Sequence, residues 1–301
     1  MEKLCHICPR DCGAARPESA ARGEKCPGVC GMPTAPVVAR AGLHFWEEPV
    51  ISGKKGSGAV FFSGCNLRCA FCQNYEISAE RRGKEITIAR LREIYRELAA
   101  AGAHNLNLVT PGHYADAVWE SLEPAPPLPV VYNTNGYEKV ETLRRFAGKV
   151  QIYLPDMKYA DADLAQRYSG AADYFPVAAA AIKEMFRQTG VYRLDADGML
   201  QSGVIIRHLL LPGYLDNSRR VIDWVAENFR PGEIMFSLMR QYLPCGRVAD
   251  GEFPELNRRV SDEEYAEISD YLFNSPIEDG FMQDGKAAEK DFIPAFNGTG
   301  V

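Results

Sequence analysis

The chain has 301 residues, 46% apolar and 25% charged, with a formal net charge of −6. That composition belongs to a folded globular protein and excludes disordered, collagen-like and coiled-coil chains. The negative balance argues against a nucleic-acid partner or an anionic membrane surface. Of nine cysteines, eight lie in the first 72 residues: Cys5, Cys8, Cys12, Cys26, Cys30, Cys65, Cys69 and Cys72. Cys245 is the ninth and reads as structural. A disulfide scaffold would be short, secreted and stapled throughout. The first residues lack the apolar stretch of a secretory signal, and no apolar run approaches the ~20 residues that cross a bilayer. The expectation is a cytoplasmic protein with no membrane partner, whose reduced thiols hold metal.

Residues 1–36 are rich in Cys, Gly, Pro and Arg and show no helical or strand period. Such a segment cannot build an apolar core and needs a metal to hold it. A connector runs on to residue 57, so 1–57 reads as an N-terminal extension. Beyond it, strands are predicted at 59–63, 105–109, 129–132, 150–154, 204–210 and 233–238. Helices are predicted at 87–101, 137–146, 161–168, 174–188, 216–229 and 261–273. Thr87 caps the first helix and Gly102 stops it, while Ser261 and Glu264 have capping-box spacing at the last.

Alternation of this kind gives a parallel sheet with helices outside it. Six units are too few for a full eight-fold barrel. The fold class is therefore α/β: a partial (β/α)6 TIM-like barrel over 58–274, with a Cys-rich metal-binding extension before it. A tail at 275–301 is expected to dock on the barrel through Phe292, Ile293 and Phe296. In such folds the site lies at the C-terminal ends of the strands.

Directly after the first strand, Gly64 permits a tight exit, and Cys65, Cys69 and Cys72 come next in a C-x3-C-x2-C run. Three thiolates on one loop can converge on one metal centre. A structural zinc is closed by four protein ligands, whereas a four-iron cluster held by three cysteines keeps one iron open. The bland alternatives are a zinc site completed by histidine, or three buried cysteines; the position after strand one weighs against both.

This spacing, with Phe71 before the last cysteine, resembles the motif of the radical S-adenosylmethionine (SAM) superfamily. The resemblance implies a [4Fe-4S] cluster whose open iron binds SAM, reductive cleavage to a 5′-deoxyadenosyl radical, and hydrogen abstraction from a substrate. The stretch from Gly42 to Cys69, the run from Ile205 to Gly213 and the end from Phe292 to Val301 are similar to the branch related to pyruvate formate-lyase activating enzyme. That similarity implies an oxidoreductase acting like a glycyl-radical activase. An electron donor such as flavodoxin or ferredoxin, and a protein substrate, are its implied partners. Modification of another side chain or of a small metabolite is the alternative, and a non-catalytic electron-transfer module a further one.

The same resemblance points to residues beside SAM. Thr134-Asn135-Gly136 resembles the activases' Asp-Thr-Asn-Gly turn, but the first aspartate is replaced by Asn133. Asp156-Met157-Lys158 resembles their Asp-Leu-Lys. A cation site near the SAM carboxylate would therefore lack one negative charge. Thr110 stands where the relatives have Gly-Gly-Glu, and Arg207 resembles an arginine near the SAM carboxylate or ribose. Asp156 and Lys158 could equally be an ion pair at a strand end, and Arg207 could pair with a structural carboxylate. His113 reads as a surface residue, and Gln241 and Tyr242 could face the pocket or pack the tail.

Among the first five cysteines, family-like spacing selects Cys5, Cys8, Cys12 and Cys30 as one site, with Cys26 to spare. Zinc favours paired C-x2-C knuckles, of which there is one, and four-iron clusters accept less regular spacing. Both metals stay open.

Overall fold

The computed structural model describes residues 4–21, 24–283 and 294–301. Phe292 and Ile293 of the tail lie outside the described residues. Strands β1 (Val37–His44), β2 (Ser57–Phe62), β3 (Leu106–Val109), β4 (Val130–Thr134), β5 (Ile152–Pro155), β6 (Leu200–Leu209), β7 (Met235–Met239) and β8 (Gly280–Met282) form one sheet in the order 8-7-6-5-4-3-2-1. From β2 to β8 all neighbours are parallel, and β1 runs antiparallel to β2. Between the parallel strands lie α1 (Ile88–Ala100), α2 (Ala115–Ser121), α3 (Val140–Arg144), α4 (Ala162–Ser169), α5 (Tyr174–Thr189), α6 (Leu215–Asn228) and α7 (Asp262–Phe273). This is the partial barrel that the alternation implies.

The local signals act as expected. Thr87 Oγ1 accepts the Arg90 N–H at 3.1 Å to start α1. At α7 the Ser261–Glu264 capping box is complete. Asp161 caps α4, and Gly170 ends it in the left-handed region. Three of these elements were not expected, one of them β8, which draws Gly280–Met282 of the expected tail into the sheet. The connector holds β1, because pairing with β2 makes a strand of a segment that includes Gly42. The stretch after Pro111 contains the short helix α2.

Alternate strand residues face opposite ways, which splits the core. Outward residues such as Val60, Leu108, Tyr132, Tyr153, Ile206 and Leu238 pack with the helices in the large core. Inward residues form two small clusters, one of Ile51, Val131, Ile152, Leu154, Leu200, Ile205 and Met235, the other around Phe61 and Val109. Between and above them the interior is polar, and the site is built there.

Candidate functional site

The six strand exits bring the sequence-selected residues to one cavity. Its lining includes Cys65, Cys69, Phe71 and Cys72 from the loop after β2, Thr110 after β3, Asn133, Thr134 and Asn135 at the end of β4, Asp156 and Lys158 after β5, and Arg207 on β6. Gln241 and Tyr242, whose direction the sequence left open, line it too. Among the described residues the lining contains no fourth cysteine and no histidine.

The cysteine loop is anchored by its neighbours. Gly64 has φ +82°, and a Cβ there would come within 2.2 Å of Met32 Cγ, so the N-terminal extension packs directly on the strand exit. Leu67 N–H donates to Cys65 Sγ at 3.4 Å, Asn135 Nδ2 to the same sulfur at 3.3 Å, and Ser78 Oγ to Cys72 Sγ at 3.3 Å. Phe71 is buried against Tyr159, Tyr168 and Tyr242 at 5.9–6.3 Å between ring centroids, which walls off that side of the loop. Burial pushes the Cys72 thiol up to about 12 and raises Cys69 as well. Thiolates there need a cationic partner.

The exits of β4 and β5 are tied together. The Tyr174 hydroxyl lies 2.8 Å from the Asn135 carbonyl and 2.7 Å from that of Asp156, and it accepts the Lys158 N–H at 2.9 Å. Asn135 Nδ2 also donates to Asn66 Oδ1 at 2.8 Å. Thr110 closes β3 at φ +58° and makes no hydrogen bond through its hydroxyl to the described residues. A β-branched residue in the left-handed region is strained, and such strain collects at ligand sites.

Asp156 sits between two cations. Arg207 Nε donates to Oδ1 at 2.9 Å and Lys158 Nζ to Oδ2 at 2.6 Å. Burial works to raise the Asp156 pKa, but Arg207 and Lys158 outweigh it and hold the carboxyl below its ordinary value. Arg207 Nη2 donates to Asn133 Oδ1 at 2.7 Å, and Nη1 to Glu47 Oε2 at 3.0 Å. Asp156, Lys158 and Arg207 are thus both cavity residues and an ion-pair network. Where the resemblance suggested a cation site short of one charge, the protein's own guanidinium and ammonium occupy the oxygens of Asp156 and Asn133.

Several participants were not visible in the sequence. Glu47 reaches in from the loop after β1, and its Oε1 accepts Asn133 Nδ2 at 3.0 Å and Asn107 Nδ2 at 3.3 Å. Beside it, burial raises the pKa of Glu48. His113 is corrected from a surface residue to a buried one. Its Nε2 lies 2.8 Å from the Ser63 carbonyl at the head of the cysteine loop, and burial lowers its pKa to about 3, so the neutral ring is the donor.

Comparison with known proteins gives this geometry a family. The model of the radical SAM superfamily matches residues 59–225, more than half of the chain. The chain belongs to the radical SAM superfamily. An uncharacterized protein of Methanocaldococcus jannaschii is 29% identical over 87% of this chain and 72% of its own. Among solved structures, Streptococcus suis SuiB bound to S-adenosylmethionine aligns at TM-score 0.50 and 12% identity. That match covers 74% of this chain, which spans about half the length of SuiB (49%). A domain of a pyruvate-formate lyase-activating enzyme from Bacteroides vulgatus aligns at TM-score 0.38 and 15% identity, over 58% of this chain and 91% of that domain. The likeness to SuiB shows the fold. Radical SAM membership implies SAM and a [4Fe-4S] cluster as cofactors.

The residues present fit that pair, although the thiols do not form a closed shell. Among the described residues, no three Cys, His, Asp or Glu side chains are gathered as a complete metal site. The fit lies in the donor set. Three thiols of one loop face one cavity, N–H and O–H donors aim at two of the sulfurs, and the Lys158 ammonium acts on Cys69 and Cys72.

The N-terminal thiols form a second group. The ribbon of Leu4–Cys5 with Ala14–Ala15 begins it. Cys30 interacts electrostatically with Cys5 and Cys12, and Cys8 with Cys5 and Cys30. Burial pushes the Cys8 thiol up to about 12. Arg16, buried beneath, donates to the Met32 carbonyl at 2.9 Å, to the His113 carbonyl at 2.7 Å and to Cys5 Sγ at 3.6 Å. No helix among the described residues is long and apolar enough to cross a membrane.

Proposed function

We propose that Cys65, Cys69 and Cys72 hold the [4Fe-4S] cluster and that the cavity beside them binds SAM. The observation that carries this is a cavity at the strand C-termini with three thiols of one loop and, among the described residues, no fourth thiol or imidazole. When bound, the pair supplies one-electron reductive cleavage of SAM to a 5′-deoxyadenosyl radical that abstracts hydrogen. Around it, Asn135 donates to the Cys65 sulfur and Phe71 with its tyrosines keeps water from the loop. Lys158 and Arg207, fixed by Asp156 and Glu47, hold N–H donors at the cavity of the kind that suit a carboxylate. Thr110, Asn133 and Thr134 supply polar groups at the adjoining exits.

Anaerobically reconstituted protein with SAM and a reductant is expected to release methionine and 5′-deoxyadenosine. Cys65→Ala, Cys69→Ala and Cys72→Ala should each abolish that release. Full cleavage in any one of them, or none in a fully loaded wild type, sinks the assignment.

The finer reading is an activase-like oxidoreductase that takes hydrogen from a partner protein, with a flavodoxin- or ferredoxin-type electron donor and a cytoplasmic setting. Sequence resemblance supports it. Deuterium transfer from a labelled partner glycine into 5′-deoxyadenosine tests it; transfer from a small metabolite instead selects the alternative. Cys5, Cys8, Cys12 and Cys30 are proposed to hold a second metal, zinc or iron–sulfur. The electrostatic interactions of Cys30 with Cys5 and Cys12, and of Cys8 with Cys5 and Cys30, support this, and iron, sulfide and zinc counts of wild type against a Cys5→Ala/Cys8→Ala variant distinguish the two metals.

A further inference from the structure

Arg10 stands between Cys8 and Cys12, yet its guanidinium serves the other thiol set. Nε donates to the Asn66 carbonyl at 2.7 Å and Nη2 to the Leu67 carbonyl at 3.3 Å. These are the first two residues after Cys65 on the way to Cys69. Nη2 also donates to the Ser169 carbonyl at 2.6 Å, and Nη1 to that of Gly170. Those carbonyls end α4, where helical partners run out. The guanidinium lies 5.3 Å from the centroid of the Tyr137 ring, and the Tyr137 carbonyl accepts Asn66 Nδ2 at 2.7 Å.

Two physical facts give this contact a purpose. Arg68, next in the same turn, has φ +55°, a left-handed conformation that a residue with a Cβ adopts at a cost. The Cys65–Cys69 turn therefore needs outside support, and a planar fork of five N–H donors can grip several carbonyls at once. In addition, Arg10 makes no ion pair with a carboxylate among the described residues. Among the described residues its charge is delivered to the turn without a counter-anion, beside a ligand set that becomes anionic when it binds a cluster.

We infer that Arg10 is a positioning residue that couples the N-terminal thiol set to the cluster loop. It holds the Cys65–Cys69 backbone and places a cation beside that set, and it reaches there from a segment fixed by whatever Cys8 and Cys12 bind. Filling of one site then favours filling of the other, and the coupling is reciprocal. The inference rests on the reading of Cys65, Cys69 and Cys72 as cluster ligands.

The experiment tracks, in the anaerobically reconstituted full chain, the part of the reduced-cluster EPR spectrum that shifts on adding SAM. A cluster closed by four thiols has no iron open to SAM, so that part reports the Cys65 loop. Arg10→Gln is expected to lose this signal several-fold faster than wild type under a fixed chelator challenge, and to require a lower potential for reduction. Arg10→Lys, which keeps the charge but not the fork, is expected to keep the wild-type potential and still lose signal faster. Cys12→Ala is expected to speed the loss as Arg10→Gln does, and the double variant to be no faster than Arg10→Gln, because both act through one contact. Wild-type retention and potential in Arg10→Gln overturn the inference, even if its Tm falls. A double variant whose effects multiply overturns it too. Should Arg10→Gln not fold, wild-type retention in both Arg10→Lys and Cys12→Ala overturns it. A wild type with no SAM-responsive signal overturns the cluster reading itself, and this inference with it.

Discussion

Glu138 is an acid whose protonation the fold strongly alters. It is buried behind the β4 exit, with Oε1 accepting the Thr134 hydroxyl at 2.6 Å, while Oε2 and the nearby Tyr132 hydroxyl make no well-formed hydrogen bond. Gly112 lies so close that a Cβ there would come within 2.3 Å of Oε1. Burial raises the carboxyl from 4.5 to about 7. Between those values the folded protein keeps a proton that the unfolded chain has released. Stability therefore falls as pH rises across that window, by roughly 3 kcal/mol in all, and levels off above the folded pKa. Glu138→Gln removes this slope. Its urea midpoint should match wild type near about pH 5 and exceed it near about pH 8; parallel profiles would place the pH dependence elsewhere. Glu47 balances the largely buried charge of Arg207. Glu47→Ala leaves Arg207 with Asp156 as its carboxylate partner, so the loss should sit at the low end of a broken buried pair, about 3 kcal/mol. Glu47→Gln should cost less. Equal urea midpoints for wild type and Glu47→Ala would show that the pair contributes nothing net.

At the scale of elements, the site depends on how closely β4 and β5 leave the barrel together. Gly136 has φ +80°, and a Cβ there would lie 2.2 Å from the Asp156 carbonyl oxygen and 3.1 Å from the Tyr174 hydroxyl. Backbone cannot yield as a flexible side chain does. Gly136→Ala should part the two exits, move Asn135 off Cys65 and cost about 1–3 kcal/mol of strain. On cluster-loaded protein, equilibrium dialysis should show most SAM binding lost; wild-type affinity would exclude the turn from the site. The same elements show what a sequence can disclose. Six of the seven parallel strands, β2 to β7, and the helices of the alternation were legible because each carries its own apolar run and stop signals; β8 was not. Strand β1 was not, because Ala39, Ala41 and Gly42 have little strand preference and pairing with β2 supplies the order. Helix α2 was hidden by Pro111-Gly112 before it and Pro124 after it. Among site residues, thiols at ligand spacing declare their chemistry. Glu47 does not, since it meets Arg207 across 160 residues with no spacing to mark the pair. Arg10 was likewise silent, because its partners are backbone carbonyls, which any sequence has.

For the whole molecule, the sheet's outer strand raises the question of what stops it pairing with another copy. β1 would present a row of unpaired N–H and C=O groups, which invites association. Lys84 and Glu85 cover its beginning by pairing with Val38 and Val37. The C-terminal tail covers the middle of the strand: Gly298 N–H donates to the Ala39 carbonyl at 3.0 Å, and Ala41 N–H to the Thr299 carbonyl at 2.9 Å. Gly300 fits there because a Cβ would lie 2.2 Å from the Ala41 carbonyl oxygen. Phe296 meets Phe61 edge-on at 5.5 Å, so the tail is held by the barrel's inner face as well as by the strand. Lys84 Nζ and Arg90 Nη2 donate to the carbonyls of Val301 and Gly300 at 3.3 and 3.2 Å. Backbone pairing and ring packing make separable contributions. Phe296→Ala removes a half-buried ring, so it should cost about 2 kcal/mol, below the range for a fully buried phenylalanine. The edge would stay covered, and the mass in solution would not change. Deleting residues 295–301 uncovers the Ala39 and Ala41 groups together, and the mass by light scattering should rise with concentration above that of the full chain. If the shortened chain keeps the full chain's state of association, β1 is protected by its own twist and by Lys84–Glu85, and the tail serves the barrel interior through Phe296.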